Sequence, residues 1–232
     1  MQFIMIDGIG SVPVECSFEG FTTTAVVTAT SHLTPDCPAG ADYAGRYVFA
    51  WVYWVSALTE TLVSATIAGV DAEIYPQTSF SSGGFTRPER GFVLISAEVP
   101  AGAAVDIATT FSGDVDRPDI FTYRVINLVS DAVIDSQING GTASDISLDA
   151  DCDVVAGGVV FFALCAGWNP ETCDLTGTSQ DFEQAVRGID NFASGGFYLP
   201  LADETPRAFN STLTNGGGGG NPNHANIVAS FR

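Results

Sequence analysis

The sequence predicts an all-β fold, an antiparallel β-sandwich of the jelly-roll type with long glycine-rich loops. The run Tyr47–Val55, YVFAWVYWV, is apolar or aromatic on both faces of an extended chain. Turn-forming residues recur roughly every 8–15 residues, and no amphipathic helix exceeds about two turns. Together these features indicate roughly ten to twelve short strands.

The central hairpin is predicted around Arg46–Ile74. A strand with two apolar faces is either covered on both sides or packs one face in a core and the other against a partner. Thr59–Thr61 form a polar break, after which Leu62–Ala68 alternates again and the chain turns at Gly69. This strand–turn–strand pattern is the clearest in the chain.

The remaining elements follow from β-branched runs and glycine or proline breaks. Loops are predicted at 31–45 and 76–91 and at the glycine-rich stretch 215–223. Residues 182–187 fit either a strand or one helical turn. The further predicted strands are residues 2–6, 21–30, 91–99, 105–111, 121–129, 145–148, 159–166, 196–201, 209–213 and 227–231.

The domain organisation is predicted to be one sandwich spanning 1–232, because no stretch resembles an interdomain linker. The alternative is a pair of small sandwiches divided near residue 130.

The charge excludes several classes of partner. The chain carries 27 acidic residues against 8 basic ones, all arginine, for a net charge of −19. Such a surface repels phosphate, so neither nucleic acid nor an anionic membrane is an expected partner. The N-terminal segment lacks the basic start of a secretory signal, and no apolar run is long enough to span a membrane. We therefore expect synthesis in the cytoplasm without membrane insertion.

The five cysteines are Cys16, Cys37, Cys152, Cys165 and Cys173. None forms a C-x-x-C pair, and the two histidines are distant in sequence, so zinc is not expected. Buried thiols are the favoured interpretation. A late disulfide, Cys16–Cys37 or Cys165–Cys173, is the alternative for a protein that ends outside a cell.

Three aspartates alternate at Asp149, Asp151 and Asp153 and share one face of an extended chain. An EF-hand loop needs a glycine next and a glutamate six residues later, where Val154 and Val160 stand. A solvated strand edge is favoured over calcium, and no metal or other cofactor is predicted.

Contact with a glycan or a protein partner is predicted at five residues. Trp168 adjoins a turn and Phe80 and Phe85 lie in the 76–91 loop, where aromatic rings can stack on sugars. Arg87 and Arg90 concentrate positive charge there and can pair with acidic surfaces. No catalytic residues are predicted, because no G-x-S-x-G motif, phosphate loop or placed histidine occurs.

The order of these segments resembles a known family. The most specific pieces are S-A-T-I-A-G-V-x-A at Ser64–Ala72 and V-P-A-G at Val99–Gly102, followed by the terminal NIVASFR. They resemble β-sandwich structural proteins of tailed phages and gene-transfer-agent-like particles of the alphaproteobacterial type. The likeness runs from about residue 45 through most of the chain. It departs from the family at Ala68, where the turn usually has a second glycine.

The resemblance implies a non-enzymatic virion component, either a surface-exposed part of the tail or its fibres or a head decoration. The implied partners are copies of itself and other virion proteins, and a host surface glycan is a further candidate. Apolar residues on both faces of the central strand favour such assembly. The alternative function is a carbohydrate-binding module that recognises a host glycan.

Overall fold

A computed structural model describes residues 12–81, 89–142, 146–167, 172–186, 191–214 and 223–232. These residues form antiparallel sheets, which confirms the all-β prediction. The strands are β1 Glu15–Thr23, β2 Ala29–Pro38, β3 Tyr47–Ser56, β4 Leu62–Ile67, β5 Val70–Asp71, β6 Glu73–Ile74, β7 Thr78–Ser81, β8 Glu89–Glu98, β9 Ala104–Val115, β10 Asp119–Ile126, β11 Val133–Thr142, β12 Ile146–Val154, β13 Val159–Ala166, β14 Thr172–Thr176, β15 Phe182–Val186, β16 Asn191–Tyr198, β17 Glu204–Thr214 and β18 Asn223–Phe231.

The first ten strands form one sheet that folds over itself into two layers. Layer 1 contains β2, β9, β4 and β5. Layer 2 contains β1, β10, β3 and β8, with the short strands β6 and β7 paired to β8. Ser56 at the end of β3 pairs with Val115 at the end of β9 and joins the two layers.

The last eight strands form two further sheets. Layer 3 has the order β11-β18-β13-β16-β15, and layer 4 has the order β12-β17-β14. The chain is thus a stack of four β layers, where the sequence predicts a single sandwich. Layers 1 and 2 come from residues before 127, and layers 3 and 4 come from residues after 132.

Three apolar cores fill the stack. The N-terminal core lies between layers 1 and 2, the central core between layers 2 and 3, and the C-terminal core between layers 3 and 4. The central core is the most aromatic. Its rings include Phe49, Trp51, Tyr53, Tyr75, Phe92, Phe121, Tyr123, Phe161, Phe182 and Phe231.

Strand β3 contributes to two cores because successive side chains point to opposite faces. Phe49, Trp51, Tyr53 and Val55 enter the central core, and the residues between them enter the N-terminal core. The chain itself therefore covers both faces of this strand. The inference that its second apolar face favours a partner is wrong, because layer 3 fills that position.

Strand β13 repeats the arrangement in the second half. Phe161 and Cys165 lie in the central core, whereas Phe162 and Leu164 lie in the C-terminal core. Strands β3 and β13 are the middle strands of layers 2 and 3, and their neighbours β8, β10 and β18 likewise place residues in two cores, which makes the four-layer stack continuous.

The turn predicted at Gly69 is present, but the predicted hairpin of β3 and β4 is wrong, because β3 pairs with β10 and β8 in layer 2 and β4 pairs with β9 and β5 in layer 1. Ile67 pairs with Val70 across a two-residue turn, in which Ala68 has φ 53° and Gly69 has φ 77°. Such turns need positive φ at both central residues. Gly69 adopts this region freely, whereas Ala68 is strained by its Cβ.

The N-terminal strands differ from the prediction. The expected strand 21–30 is replaced by β1, which ends at Thr23, and the expected loop 31–45 contains most of β2. Pro35 and Asp36 lie at a register shift between Thr34 and Cys37, and Asp36 has φ 54°. A bulge of this kind lets an edge strand continue through proline. The predicted strand 2–6 lies outside the described residues.

The second half contains a strand that the sequence does not reveal, β11, whose residues are mostly polar. Its side chains bond the backbone of β12, which is an edge strand of layer 4. Three pairs run along the two strands: Asn139 with Asp149, Gln137 with Asp151, and Asp135 with Asp153. These side chains protect an exposed edge from pairing with another chain. Residues 182–186 form a strand rather than a helical turn.

Candidate functional site

Three of the five predicted contact residues, Trp168, Phe85 and Arg87, lie outside the described residues. Phe80 lies on β7, where its backbone pairs with that of Arg90 on β8. Glycan contact by the three aromatic residues therefore stays a prediction.

Arg90 is not in a surface loop, and this prediction is wrong. Its strand begins at Glu89, so Arg90 lies within the ladder and is 2% exposed. Its side chain lies on the same face of β8 as those of Phe92 and Leu94, which pack in the central core. Its Nη1 donates to the Glu89 carbonyl at 3.1 Å. Burial raises the pKa of the Cys165 thiol across the core, and the Arg90 charge partly opposes this rise. Arg90 is therefore buried between layers 2 and 3 and does not present a cation to a partner.

The strand ends that flank the predicted contact residues lie at one end of the stack. Phe49, near the start of β3, lies 4.8 Å by ring centroids from Phe161, near the start of β13. At the other end of these strands, Arg90 pairs with Val55 and acts on Cys165. Strands β3 and β13 thus run in the same direction. Strand β7 runs parallel to β3, because both are antiparallel to β8. Strands β7 and β13 therefore both end at the Arg90 end of the stack.

The three alternating aspartates lie on β12, with Asp149 and Asp151 exposed and Asp153 half-buried. Asn210 Nδ2 donates to Asp149 Oδ1 at 2.5 Å. Among the described residues, no three His, Cys, Asp or Glu side chains are placed to share a metal ion. The aspartates occupy the outward face of an edge strand, as the favoured interpretation expects.

All five cysteines are unpaired, and all but Cys16 are buried. Neither of the two candidate disulfides is formed. Burial raises the pKa of Cys37 and Cys152 to about 11 and that of Cys173 to about 12. Since the thiolate is the reactive form, these thiols are chemically inert in the folded chain.

Arg46, the residue before β3, is a buried cation whose role no sequence pattern indicates. It is 0% exposed, and its guanidinium donates to five carbonyls. The acceptors are Val99 at 2.7 Å, Ala39 at 3.1 Å, Gly40 at 2.8 Å, Ala41 at 3.2 Å and Gly102 at 3.0 Å. Desolvation lowers its pKa. The guanidinium thus hydrogen-bonds both the segment before β3 and the segment after β8. This gives Arg46 a structural role.

A groove lies beside the junction of the two halves, lined by residues 73–76 and 131–133, with a volume of about 460 Å³. Tyr75 and Ser96 from the first half meet Asp131, which lies in the segment that connects the two halves. The Tyr75 hydroxyl donates to the Asp131 carbonyl at 2.7 Å and lies 2.6 Å from Ser96 Oγ, which donates to Asp131 Oδ2 at 2.9 Å. Burial raises the pKa of Tyr75, and the Asp131 charge adds to this effect.

This groove could not be found from the sequence, because its two walls are distant in the chain and share no motif. It combines an aromatic side chain, two carboxylates and the edge strand β6. It can hold a group of opposite charge.

No helix in the described ranges has the length and apolarity needed to traverse a bilayer. No family model, curated protein or solved structure matches this chain.

Proposed function

We propose that this chain is a non-enzymatic structural protein of a tailed-phage virion or related particle. Its place is on the surface of the tail or its fibres, or on the head as a decoration. Its partners are copies of itself and other virion proteins. The observation that carries the proposal is the four-layer stack, whose inner layers 2 and 3 have an apolar core on each face.

Such a stack suits a particle component because it resists local opening. Core strands open only at free energies close to that of global unfolding, so three continuous cores favour resistance to local opening. The side chains of β11 along β12 add to this, since a protected edge limits unwanted strand pairing on a crowded particle surface.

The described ionisable groups support a structural role. Arg46 gives its donors to backbone carbonyls, Tyr75 links the two halves, and the buried thiols have raised pKa values. Groups tuned for catalysis have pKa values near the working pH, whereas burial raises the pKa of Tyr75 and of these thiols further above it. The resemblance of Ser64–Ala72 and Val99–Gly102 to phage β-sandwich proteins supports the particle in particular.

The test is peptide mass spectrometry of density-purified particles from a lysate of the source organism. We expect the chain at a fixed ratio to the major capsid protein. A ratio near one indicates head decoration, and a few copies per particle indicate the tail. Detection in the lysate but not in clean particles would overturn the proposal. Glycan binding by wild type that is lost in Trp168→Ala would then favour the carbohydrate-binding alternative.

A further inference from the structure

The groove at 73–76 and 131–133 is a preformed site between two edges. On one side, β6 pairs only with β8 among the described strands, so it is an edge of layer 2. On the other side, Val133 begins β11, an edge of layer 3. The volume of about 460 Å³ is in the range of sites for small ligands and exceeds that of a bare metal ion.

Hydrogen bonds and a ring contact hold the groove wall in place. The Tyr75 hydroxyl is held by Ser96 and by the Asp131 carbonyl, and its ring lies 4.8 Å by centroids from that of Phe231. Ser96 occupies only Oδ2 of Asp131, and no described group donates to Oδ1. The site therefore needs little rearrangement to accept a donor.

The groove is negatively charged. Its lining contains Glu73, which is exposed, and Asp131, which is half-buried, and no basic residue is among the described lining residues. Burial raises the pKa of the neighbouring Tyr47, and the negative charges of Asp131 and Glu98 add to this rise. Arg232 lies nearby through its carbonyl, which accepts the Ser130 N–H, but its side chain is exposed and makes no described ion pair.

We propose that this groove receives one arginine or lysine side chain on an extended segment of a neighbouring particle protein, which lies along the edge of β6. The partner's identity rests on the proposed function. Glu73 and Asp131 supply the acceptors, and an extended segment can add to a sheet edge through its backbone. The Tyr75 ring supplies an aromatic wall for the aliphatic part of the cationic side chain.

The probes are two capped tripeptide amides, acetyl-Gly-Arg-Gly and acetyl-Gly-Gln-Gly, titrated into the full chain and followed by amide chemical shifts. We expect shifts at 73–76 and 131–133 with the arginine peptide and at least about tenfold weaker binding of the glutamine peptide. Added salt should weaken the arginine peptide selectively.

The variant is Glu73→Gln, which changes an exposed side chain and should leave the fold intact by near-ultraviolet circular dichroism. We expect about tenfold weaker binding of the arginine peptide. The matched control is Asp174→Asn, an exposed acid on layer 4, which should bind as wild type does. Equal binding of both peptides, no shifts at the groove, or wild-type binding by Glu73→Gln would overturn the proposal.

The particle measurement separates this proposal from the proposed function. A chain present in particles that binds neither peptide overturns the groove assignment alone. A chain that binds the arginine peptide but is absent from particles overturns both the function and the assignment of the partner to a particle.

Discussion

The indole of Trp54 lies against the backbone of Gly91, its register partner on β8, where a Cβ on residue 91 would meet Cε2 of Trp54 at 1.9 Å. The ring occupies the space that any other residue at 91 would need. It cannot move aside, since Trp54 is 1% exposed in the N-terminal core and packs on Phe111 at 5.1 Å.

We therefore expect Gly91→Ala to lower the free energy of unfolding by about 3 kcal/mol, because an overpacked core must shift backbone or ring. Urea denaturation followed by tryptophan fluorescence measures this loss. The control is Gly140→Ala, where the nearest atom to the new Cβ, the His224 carbonyl oxygen, is 3.5 Å away. Equal stability of the two variants would contradict the close contact.

The strained turn at Ala68 gives a prediction of opposite sign. Ala68→Gly removes the steric cost of a φ of 53° at an exposed position and should stabilise the fold by about 1 kcal/mol. Thermal unfolding measures the gain as a higher Tm. Ala25→Gly, in an exposed loop, should instead be neutral or slightly destabilising through the unfolded chain. A lower Tm for Ala68→Gly would show that the turn is not strained.

Arg46→Lys should destabilise the fold by about 3 kcal/mol, although the charge is retained. A single ammonium cannot reach the five carbonyls that the guanidinium satisfies, and the carbonyls left behind are desolvated. Chemical denaturation compares this variant with Arg232→Lys, whose side chain is exposed. A loss below about 0.5 kcal/mol would remove Arg46 from the structural role assigned here.

The side-chain bonds along β12 can be tested one amide at a time. Gln137 Oε1 accepts the Asp151 N–H at 2.5 Å, so Gln137→Ala should speed hydrogen exchange of that amide by about tenfold. The Asp153 amide, held by Asp135, should change less. Ser136→Ala, on the opposite face of β11, is the control. Unchanged exchange at Asp151 in the Gln137 variant would show that another group protects the edge.

The buried thiols predict a pH dependence. Burial raises the Cys152 pKa to about 11 from an ordinary 9.0, so the unfolded chain loses this proton first as pH rises. The associated stability is complete below pH 9 and declines between about 9 and 11, by at most about 1.4 kcal/mol per pH unit for one thiol. Cys152→Ser should show a shallower decline in denaturant unfolding over this window. Parallel curves for the two proteins would contradict the raised pKa.

The sequence predicts the class and the central strand because their signals are local. Alternation and β-branched residues identify β3, β4, β9 and β13. It misses β11, since the polar side chains of this strand serve the backbone of β12 and leave no apolar stripe. The sequence does not predict most of β2, because Pro35 favours a loop. In the structure, a bulge between Thr34 and Cys37 lets the strand continue past this proline.

The four layers and the groove depend on contacts between distant segments, which local patterns do not encode. The two apolar faces of β3 indicate that something covers each of them, but a second half of the same chain and a partner give the same pattern. Tyr75 and Asp131 carry no signal of their meeting. The burial of Arg90 is also not predictable from local pattern. Strand β8 starts at Glu89, two residues earlier than predicted, so the predicted surface cation lies within the sheet and is buried.

The central core also sets a condition on biosynthesis. Phe121 leaves the ribosome well before Phe231, yet both rings belong to the same core. At ordinary rates of translation, the aromatic face of layer 2 waits on the order of 10 s for the strands that cover it. During that interval the nascent chain exposes an aromatic surface of the kind that favours aggregation, so we expect its yield to fall when translation is slowed between these strands.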